Sequence, residues 1–283
     1  AALLGAMCIA FSGIFYRYSG ASPSTATVFR CLFGLPILAA VAALEHRRYG
    51  PLPGTTIRLA AVAGILFAGD LILWHHAIEA VGAGLATVLG NLQVLVVGLL
   101  AWALFGERPA RSTLVAVPVV LLGIVLISGV GGGAYGAAPV RGAVLGLLTA
   151  FFYAGYLILM RRGGQDLRRP AGPVAIATAS TAAAATVIGL LSGELDAAPP
   201  ARSLAWLALL GITSQSAGYL LISLSLPRLP SILTSILLLA QPVATMALAM
   251  VLLGETPSAF QLAGMALVIG GIAAAVLGGR AGG

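Results

Sequence analysis

Charged residues are scarce in this 283-residue chain, at 8% of the sequence, whereas 60% of its residues are hydrophobic. Soluble domains carry roughly 25% charged residues, so this composition excludes a globular cytosolic enzyme. Lysine is absent, since all fifteen basic residues are arginine, and this bias suggests a GC-rich bacterial genome. The net charge of +7 needs no nucleic acid to explain it, because arginines that flank membrane spans produce such an excess.

Cysteine is also rare, and the sequence holds only Cys8 and Cys31. Both lie in apolar segments, where a thiol acts as a small hydrophobe, so nothing supports a disulfide framework. The adjacent histidines His75 and His76 would point about 100° apart on a helix, whereas a pair of metal ligands needs a spacing of four residues. We therefore expect neither a metal site nor a cofactor.

Motifs of enzymes are missing as well. The sequence has no nucleophile–base–orienter set, no cluster of carboxylates and no phosphate-binding loop. One functional class to be tested is nevertheless a membrane enzyme that uses His75 or His76. Incubating a candidate solute with the protein in detergent tests this alternative, because an enzyme would alter the solute chemically. We predict that the protein is not an enzyme.

Long apolar runs are what the sequence has in abundance. Segments of about 18–24 residues, at 1.5 Å per residue, match a hydrocarbon core of ~30 Å. Runs of this length predict helices rather than the shorter alternating strands of a barrel. The predicted fold is an all-α integral membrane protein with ten transmembrane helices, near residues 3–18, 25–44, 59–79, 83–105, 112–129, 141–160, 173–192, 203–223, 231–253 and 259–279.

The fourth and ninth segments have similar sequences. Residues 82–109 and 230–257 agree in nine of 28 positions at a constant offset of 148. This agreement is well above chance, so the chain is an internal duplication. The predicted domains are a first five-helix repeat at 1–130, a Gly-rich linker at 131–140 that we expect to be a flexible joint, and a second five-helix repeat at 141–283.

Arginines are distributed unevenly among the predicted loops. Eleven lie in alternate loops and at the C-terminus, and three lie in the opposite loops, so the positive-inside rule places both termini in the cytoplasm. Because each repeat has an odd number of spans, the second repeat is inverted relative to the first. Inverted repeats are the architecture of secondary transporters, whose substrate site lies near the bilayer midplane, and they allow alternating access.

Several motifs resemble a known family. The paired LFGERP and LLGETP turns, the run HHAIEAVGAGLATVLGNLQ and Arg30 near the start of the second segment are similar to those of the drug/metabolite transporter superfamily, EamA type. The resemblance implies a multi-pass permease of the bacterial inner membrane that exports small metabolites, and exporters of aromatic and other neutral amino acids are the group it resembles. A monomer in lipid is expected, because ten spans already enclose a cavity.

Placing a polar side chain inside a membrane costs free energy, so each such residue requires a structural or functional explanation. The repeat-related amides Gln93 and Gln241 either bridge helices or offer a donor and an acceptor to a zwitterionic solute. Pro242 frees a backbone carbonyl near Gln241, as at gates and binding sites of transporters. Asn91, four residues after Thr87 on one helix face, is an equal contender.

Segment 8 adds Gln215 and Tyr219, which are four residues apart and whose counterparts in the first repeat, Phe67 and Leu71, are apolar. This asymmetry suits an amphipathic substrate. The predicted substrate-binding set comprises Gln93, Asn91, Gln241, Gln215, Tyr219, Trp74 and His75.

The remaining charged groups have other expected roles. Asp70 is the one carboxylate deep in a predicted span, and it either carries a coupling proton or bridges helices. Arg30 and Glu79 are expected to be structural, as an ion pair between helices. Glu107 and Glu255 are also expected to be structural, because each precedes a helix that begins near a proline and a carboxylate favours a helix N-terminus.

The predicted function is a secondary transporter of small metabolites, with amino acids as the expected substrate. An antiporter of cationic drugs and protons is the alternative within the same superfamily. That chemistry needs a carboxylate inside the membrane for which the proton and the cationic drug compete, and in the small multidrug relatives this carboxylate lies in the first helix. The corresponding segments 1 and 6 of this chain contain none. Neutral or zwitterionic substrates are therefore favoured, while proton coupling, exchange and facilitated diffusion stay open.

Overall fold

The computed structural model describes residues 2–106, 111–129, 132–225 and 231–278. Within these ranges all regular structure is helical and no strand is present, which confirms the predicted all-α class. The helices are α1 (Ala2–Ala10), α2 (Ser12–Ser19), α3 (Pro23–Tyr49), α4 (Gly54–Val81), α5 (Ala83–Gly90), α6 (Gln93–Phe105), α7 (Arg111–Ile127), α8 (Pro139–Gly163), α9 (Ala171–Ser192), α10 (Ala201–Leu210), the π-helical segment Gly211–Gly218, α11 (Tyr219–Ser225), α12 (Ser231–Leu252) and α13 (Ala259–Gly278).

Seven helical stretches among the described residues are long and apolar enough to cross a membrane. They are Pro23–Tyr49, Gly54–Val81, Ala83–Leu100, Pro139–Gly163, Ala171–Ser192, Ala201–Leu224 and Ala259–Gly278. Three shorter apolar helices, Leu3–Ser19, Arg111–Ile127 and Ala240–Leu252, lie where segments 1, 5 and 9 are predicted. The protein is thus a multi-pass membrane protein, and the number of ten spans and the orientation of the termini stay predictions.

The chain divides into two compact units, each made from pieces of both sequence repeats. Unit 1 comprises Ala1–Ile72 and Gly155–Leu229, and unit 2 comprises Leu73–Ala154 and Pro230–Gly283. Helices α4 and α8 contribute residues to both units. The repeats describe how the sequence was duplicated, whereas the units describe which parts of the chain pack together.

Unit 1 is built around close packing of small residues on α3, α4 and α9. A Cβ atom added to Gly64 on α4 would lie 2.2 Å from the backbone oxygen of Ala177 on α9. At the same crossing, the hydroxyl of Thr181 donates a 2.9 Å hydrogen bond to the backbone oxygen of Gly64. Small residues let helix backbones approach in membranes, where dispersion and hydrogen bonds between helices drive association.

In unit 2, α5 packs against α12, its counterpart in the duplication, and α7 packs against α13. The linker, expected to be a flexible joint, is tied to this unit at Tyr135. The buried amide of Gln261 accepts a 2.8 Å hydrogen bond from the Tyr135 nitrogen and donates a 3.0 Å bond to the Tyr135 oxygen. The nitrogen of Ala138 also donates to the backbone oxygen of Ala80.

Candidate functional site

Arg30 is the most unusual buried side chain of unit 1. It lies on α3 and is only 1% exposed. Its Nε and Nη1 atoms are buried and have no hydrogen-bond partner among the described residues. The guanidinium is close enough to act electrostatically on the carboxyl group of Asp70, which is also buried. A buried cation with two unpaired donors is costly, so packing alone does not explain this position.

The eighth predicted span is not a continuous α-helix. Over Gly211–Gly218 the chain forms a π-helix between α10 and α11. This π segment packs closely on α3, because a Cβ at Gly211 would lie 2.6 Å from the backbone oxygen of Arg30 and a Cβ at Gly34 would lie 3.0 Å from Gln215. Segments of π-helix inside α-helices are frequent at functional sites.

Gln215 brings an unused acceptor to this contact. Its side chain is 1% exposed, and its Nε2 donates a 3.1 Å hydrogen bond to the hydroxyl of Thr178. Its Oε1 is buried and has no hydrogen-bond partner among the described residues. We name Arg30 and Gln215 the Arg30–Gln215 centre, since one has unpaired donors and the other an unpaired acceptor, and they lie on α3 and on the π segment that packs against it.

An aromatic cluster lies in the same unit. The ring of Tyr219 meets the ring of Phe67 edge-on at 5.6 Å between centroids, and Phe67 stacks on Tyr156 at 4.5 Å. Phe67 and Tyr156 are buried, and Tyr219 is partly exposed. The sequence analysis included Tyr219 in the substrate-binding set but treated Phe67 only as the apolar counterpart of Gln215 in the first repeat. The sequence does not show which residues a single aromatic side chain in a membrane helix contacts.

The fourth predicted span is interrupted at Asn91 and Leu92, where α5 ends and α6 has not begun. The side-chain nitrogen of Asn91 donates a 2.8 Å hydrogen bond to the backbone oxygen of Thr87. The backbone nitrogen of Leu92 donates a 3.0 Å hydrogen bond to the backbone oxygen of Leu89, three residues earlier. The span predicted over 83–105 is therefore interrupted by one turn at Asn91 and Leu92, whose backbone stays in the right-handed helical region, while Ala83–Leu100 still forms one apolar stretch long enough to cross a membrane. Transporters place substrates at such discontinuous helices.

Other candidates of unit 2 lie beside this break. A Cβ at Gly90 would lie 3.8 Å from the Trp74 ring and 3.5 Å from the Thr149 methyl group. Thr149 is buried, and its hydroxyl has no hydrogen-bond partner among the described residues. The ring of His75 is buried, 5.3 Å from that of Trp74 between centroids.

The two predicted amides of unit 2 differ in exposure. Gln93, at the start of α6, is buried, whereas Gln241 on α12 is partly exposed. Helix α12 continues through Pro242, and the hydroxyl of Thr245 donates a 3.0 Å hydrogen bond to the backbone oxygen of Gln241.

Comparison with known proteins identifies the architecture. The sequence model of the EamA-like transporter family matches residues 1–129 and 140–277. The chain belongs to this family. An uncharacterized protein of Pseudomonas aeruginosa is 31% identical to this EamA protein over 248 residues, which cover 87% of this chain and 82% of that relative. A solved crystal structure of a protein matches this chain with a TM-score of 0.63 at 21% identity.

That crystal structure covers 99% of this EamA protein, which in turn covers 96% of it, so the likeness shows a shared fold over the whole chain. Membership confirms the resemblance to the drug/metabolite transporter superfamily. This EamA protein is a membrane transporter and, like its family, takes a small-molecule substrate in a membrane environment.

The predicted site residues of the EamA protein fall in both units. Unit 1 holds Asp70, Gln215 and Tyr219, and unit 2 holds Trp74, His75, Asn91, Gln93 and Gln241. Within unit 2 the ring of Trp74 lies beside the His75 ring and Gly90, whereas a shared site that includes Gln93 and Gln241 stays a prediction. That all of them line one cavity stays a prediction.

Glu255 caps a different helix from the one expected. Its carboxylate is 2% exposed and accepts hydrogen bonds from the backbone nitrogens of Ala83 and Gly84, at the start of α5. The sequence argument assigned it to the helix that follows it in the chain, because a contact 172 residues away leaves no local trace. Its counterpart Glu107 lies outside the described residues.

Glu79 and the histidines have no metal partner set around them. Glu79 is 3.6 Å from His76, three residues earlier on α4. Arg30 and Glu79 belong to different units, so their ion pair stays a prediction. Among the described residues, no three His, Cys, Asp or Glu side chains are grouped as metal ligands, and the expectation about metals remains untested.

Proposed function

We propose that this EamA protein is a secondary transporter that exports amino acids, neutral or aromatic, across the bacterial inner membrane by alternating access. Membership of the family supports transport. The observation that carries the substrate class is the Arg30–Gln215 centre, where buried donors and a buried acceptor have no partners among the described residues. A buried group left without its hydrogen bond costs roughly 1–3 kcal/mol, so a solute that supplies both bonds would be bound.

The chemistry of an α-amino acid matches this centre. A guanidinium is the side chain best suited to a carboxylate, because its N–H groups form charge-assisted bonds to both oxygens. An amide oxygen accepts from an ammonium group. The cluster of Phe67, Tyr156 and Tyr219 offers faces and edges against which an apolar or aromatic side chain packs.

The broken helix of unit 2 supports a second group of substrate contacts. We assign Gln93, Asn91 and Gln241 to the polar part of the solute, with Trp74 and His75 nearby. Support comes from the interruption at Asn91 and Leu92, from the Trp74 ring beside Gly90 and from the repetition of the amide at Gln93 and Gln241.

A cationic drug fits this environment less well than a zwitterion. A carboxylate that attracts cations must be free of competing positive charge, and Asp70 lies in the field of Arg30. Proton coupling through Asp70 is compatible with this pair, since protonation of the carboxyl group would change the charge that faces Arg30. Exchange and facilitated diffusion are equally compatible.

Uptake of a panel of radiolabelled amino acids into proteoliposomes, with and without an imposed pH gradient, tests this function. Saturable uptake that excess unlabelled substrate blocks, and that protein-free liposomes lack, is the expected result. Dependence on the gradient would support Asp70 as the proton carrier. Absence of uptake for every amino acid would refute the proposed substrate class and direct the search to other metabolites.

A further inference from the structure

A cavity of about 630 Å³ lies in unit 1, between the C-terminal part of α3, the loop at residues 50–53 and the first half of α9. It shares no lining residue with the Arg30–Gln215 centre. Its volume falls in the range of small-molecule sites. The apolar part of its wall is formed mainly by Ala39, Ala42, Ala43, Ala175, Ile176 and Ala179, of which Ala39, Ala43 and Ala179 are exposed at the surface.

The mouth of the cavity is polar and contains Glu45, His46, Arg47 and Arg169. The carboxylate of Glu45 accepts hydrogen bonds of 3.0 and 2.9 Å from the nitrogens of Ala171 and Gly172. These are the first two residues of α9, whose N-terminal dipole favours a negative charge. The Glu45 carboxylate is therefore bonded to the start of α9, and its single negative charge offsets only part of the charge of the arginines around the mouth.

Three other arginines near the mouth are engaged in structural contacts. Arg169 bonds to Asp166 at 2.9 Å and to the backbone oxygen of Pro51 at 3.0 Å. Arg168 also bonds to Asp166, and its guanidinium lies 5.5 Å from the centre of the Tyr49 ring. Arg48 lies 5.4 Å from the same ring.

Arg47 differs from these neighbours. It is exposed, it lines the mouth, and among the described residues it has no recorded ion pair or hydrogen bond. The corner thus contains four arginines and only two carboxylates, Glu45 and Asp166, both of which are engaged. An anion at the mouth would meet one unpaired guanidinium in an electropositive surrounding.

We propose that this cavity binds an anionic phospholipid, with its phosphate on Arg47 and part of one acyl chain between α3 and α9. Arg47 and Ala39 are eight residues apart on α3, or about 12 Å at 1.5 Å per residue, so the cavity runs from a basic mouth into the apolar span. Basic pockets between membrane helices bind anionic headgroups, and the apolar wall excludes water in favour of a hydrocarbon chain. Inorganic phosphate would satisfy Arg47 alone.

Native mass spectrometry of the full chain, with phosphatidylglycerol and phosphatidylcholine of identical acyl chains, tests the proposal. Phosphatidylglycerol should bind more tightly, and Arg47→Gln should weaken it about fivefold while leaving phosphatidylcholine unchanged. Arg58→Gln is the matched control, because Arg58 is exposed at the start of α4 but does not line the cavity. Ala179→Phe, which fills the apolar wall from an exposed position, should weaken both lipids.

Three results would overturn the proposal. They are equal affinity of the wild type for the two lipids, an equal effect of Arg47→Gln and Arg58→Gln, and displacement of phosphatidylglycerol by millimolar inorganic phosphate, which would assign the site to free phosphate. Circular dichroism and size-exclusion profiles that match the wild type show that a weakened variant is folded. The readout is lipid binding, so the result does not depend on which solute the protein transports.

Discussion

The carboxylate of Glu255 accepts a 2.6 Å hydrogen bond from the backbone nitrogen of Ala83, the first residue of α5. A second bond of 3.1 Å comes from Gly84. The turn that precedes the last helix of the second repeat therefore caps a helix of the first repeat. This contact gives the repeated Gly-Glu-x-Pro turn a structural role within unit 2.

Replacing Glu255 by Gln should destabilise the protein by about 1–2 kcal/mol, because the helix start loses a negatively charged cap with two accepting oxygens. Thermal unfolding of the detergent-solubilised variant should show a lower Tm than the wild type. Glu79→Gln is the matched control, since the Glu79 side chain is 47% exposed and close to His76. Equal Tm values for the two variants would contradict the capping role.

A pair of glycines holds α7 and α13 together. A Cβ at Gly123 would lie 2.7 Å from the Gly264 oxygen, and a Cβ at Gly264 would lie 2.5 Å from the Gly123 oxygen. Alanine at either position must push the helix backbones apart, so we expect a loss of stability of about 1–3 kcal/mol.

Gly270→Ala on the same helix is the control for these variants. Nothing lies within 4 Å of a Cβ added at Gly270, and alanine favours a helix over glycine by up to about 1 kcal/mol. We therefore expect its Tm to stay the same or rise. A fall at Gly270 equal to that at Gly264 would show that the loss is not specific to the backbone contact.

Helix positions could be predicted from the sequence because the length of an apolar run is a local property. Helix α9, for example, spans Ala171–Ser192 where the segment 173–192 was predicted. The break at Asn91 and Leu92 and the π segment at Gly211–Gly218 were not predicted. Both contain polar residues inside longer apolar runs, but the sequence does not show that their hydrogen bonds leave the α-helical pattern, because this depends on local side-chain bonds and on packing against α3.

The sequence indicated which polar residues belong to the candidate site, but it did not indicate which atoms they contact. Polar residues inside apolar runs were visible as exceptions, and Gln215 was correctly singled out as a buried polar group. Sequence alone does not show which buried groups find partners. Two nitrogens of Arg30 have no hydrogen-bond partner among the described residues, whereas Glu255 finds its partners 172 and 171 residues away.

Arg30→Met separates a substrate role from a structural one. If Arg30 binds the substrate carboxylate, its loss should reduce amino-acid uptake about tenfold or more, since hydrogen bonds to a charged group contribute roughly 1.5–3 kcal/mol. Stability should change little, because the removal of two unpaired buried donors offsets the loss of the attraction between Arg30 and the buried Asp70.

Proteoliposome uptake and Tm, measured together, check this prediction. Arg17→Met, at an exposed arginine on α2, controls for the loss of one positive charge. A lower Tm with normal uptake per folded molecule would assign Arg30 to structure instead.

The repeat-related amides give a second functional test. Gln93→Ala and Gln241→Ala should each reduce uptake several-fold while the protein still inserts and folds, because each removes a donor and an acceptor from the proposed polar contacts. Gln165→Ala, in the exposed loop after α8, is the control. Normal uptake in both amide variants would exclude these residues from the substrate site.

The loop between α8 and α9 allows a test by pH. Hydrogen bonds from Arg168, helped by Arg169, hold the pKa of Asp166 well below its usual range. Because the pKa of Asp166 is lower in the folded protein than its value of 3.8 in the unfolded chain, the charged carboxylate stabilises the loop at every pH above 3.8. This stabilisation is lost only as the pH falls toward the lowered pKa of the folded state. Between pH 8 and pH 5 we therefore expect no change in loop protection.

Hydrogen exchange of the Arg168 amide measures this protection directly, because that nitrogen donates to Asp166 Oδ1 at 3.1 Å. After correction for the intrinsic rate, the wild type should exchange equally at both pH values, and Asp166→Asn should exchange a few-fold faster at each, a modest effect because the pairs are exposed to solvent. Asp196→Asn alters a similar turn without arginines and should leave Arg168 unchanged. Faster exchange in the wild type at pH 5 would mean that the carboxylate already gains a proton there, and that the two arginines do not hold its charge.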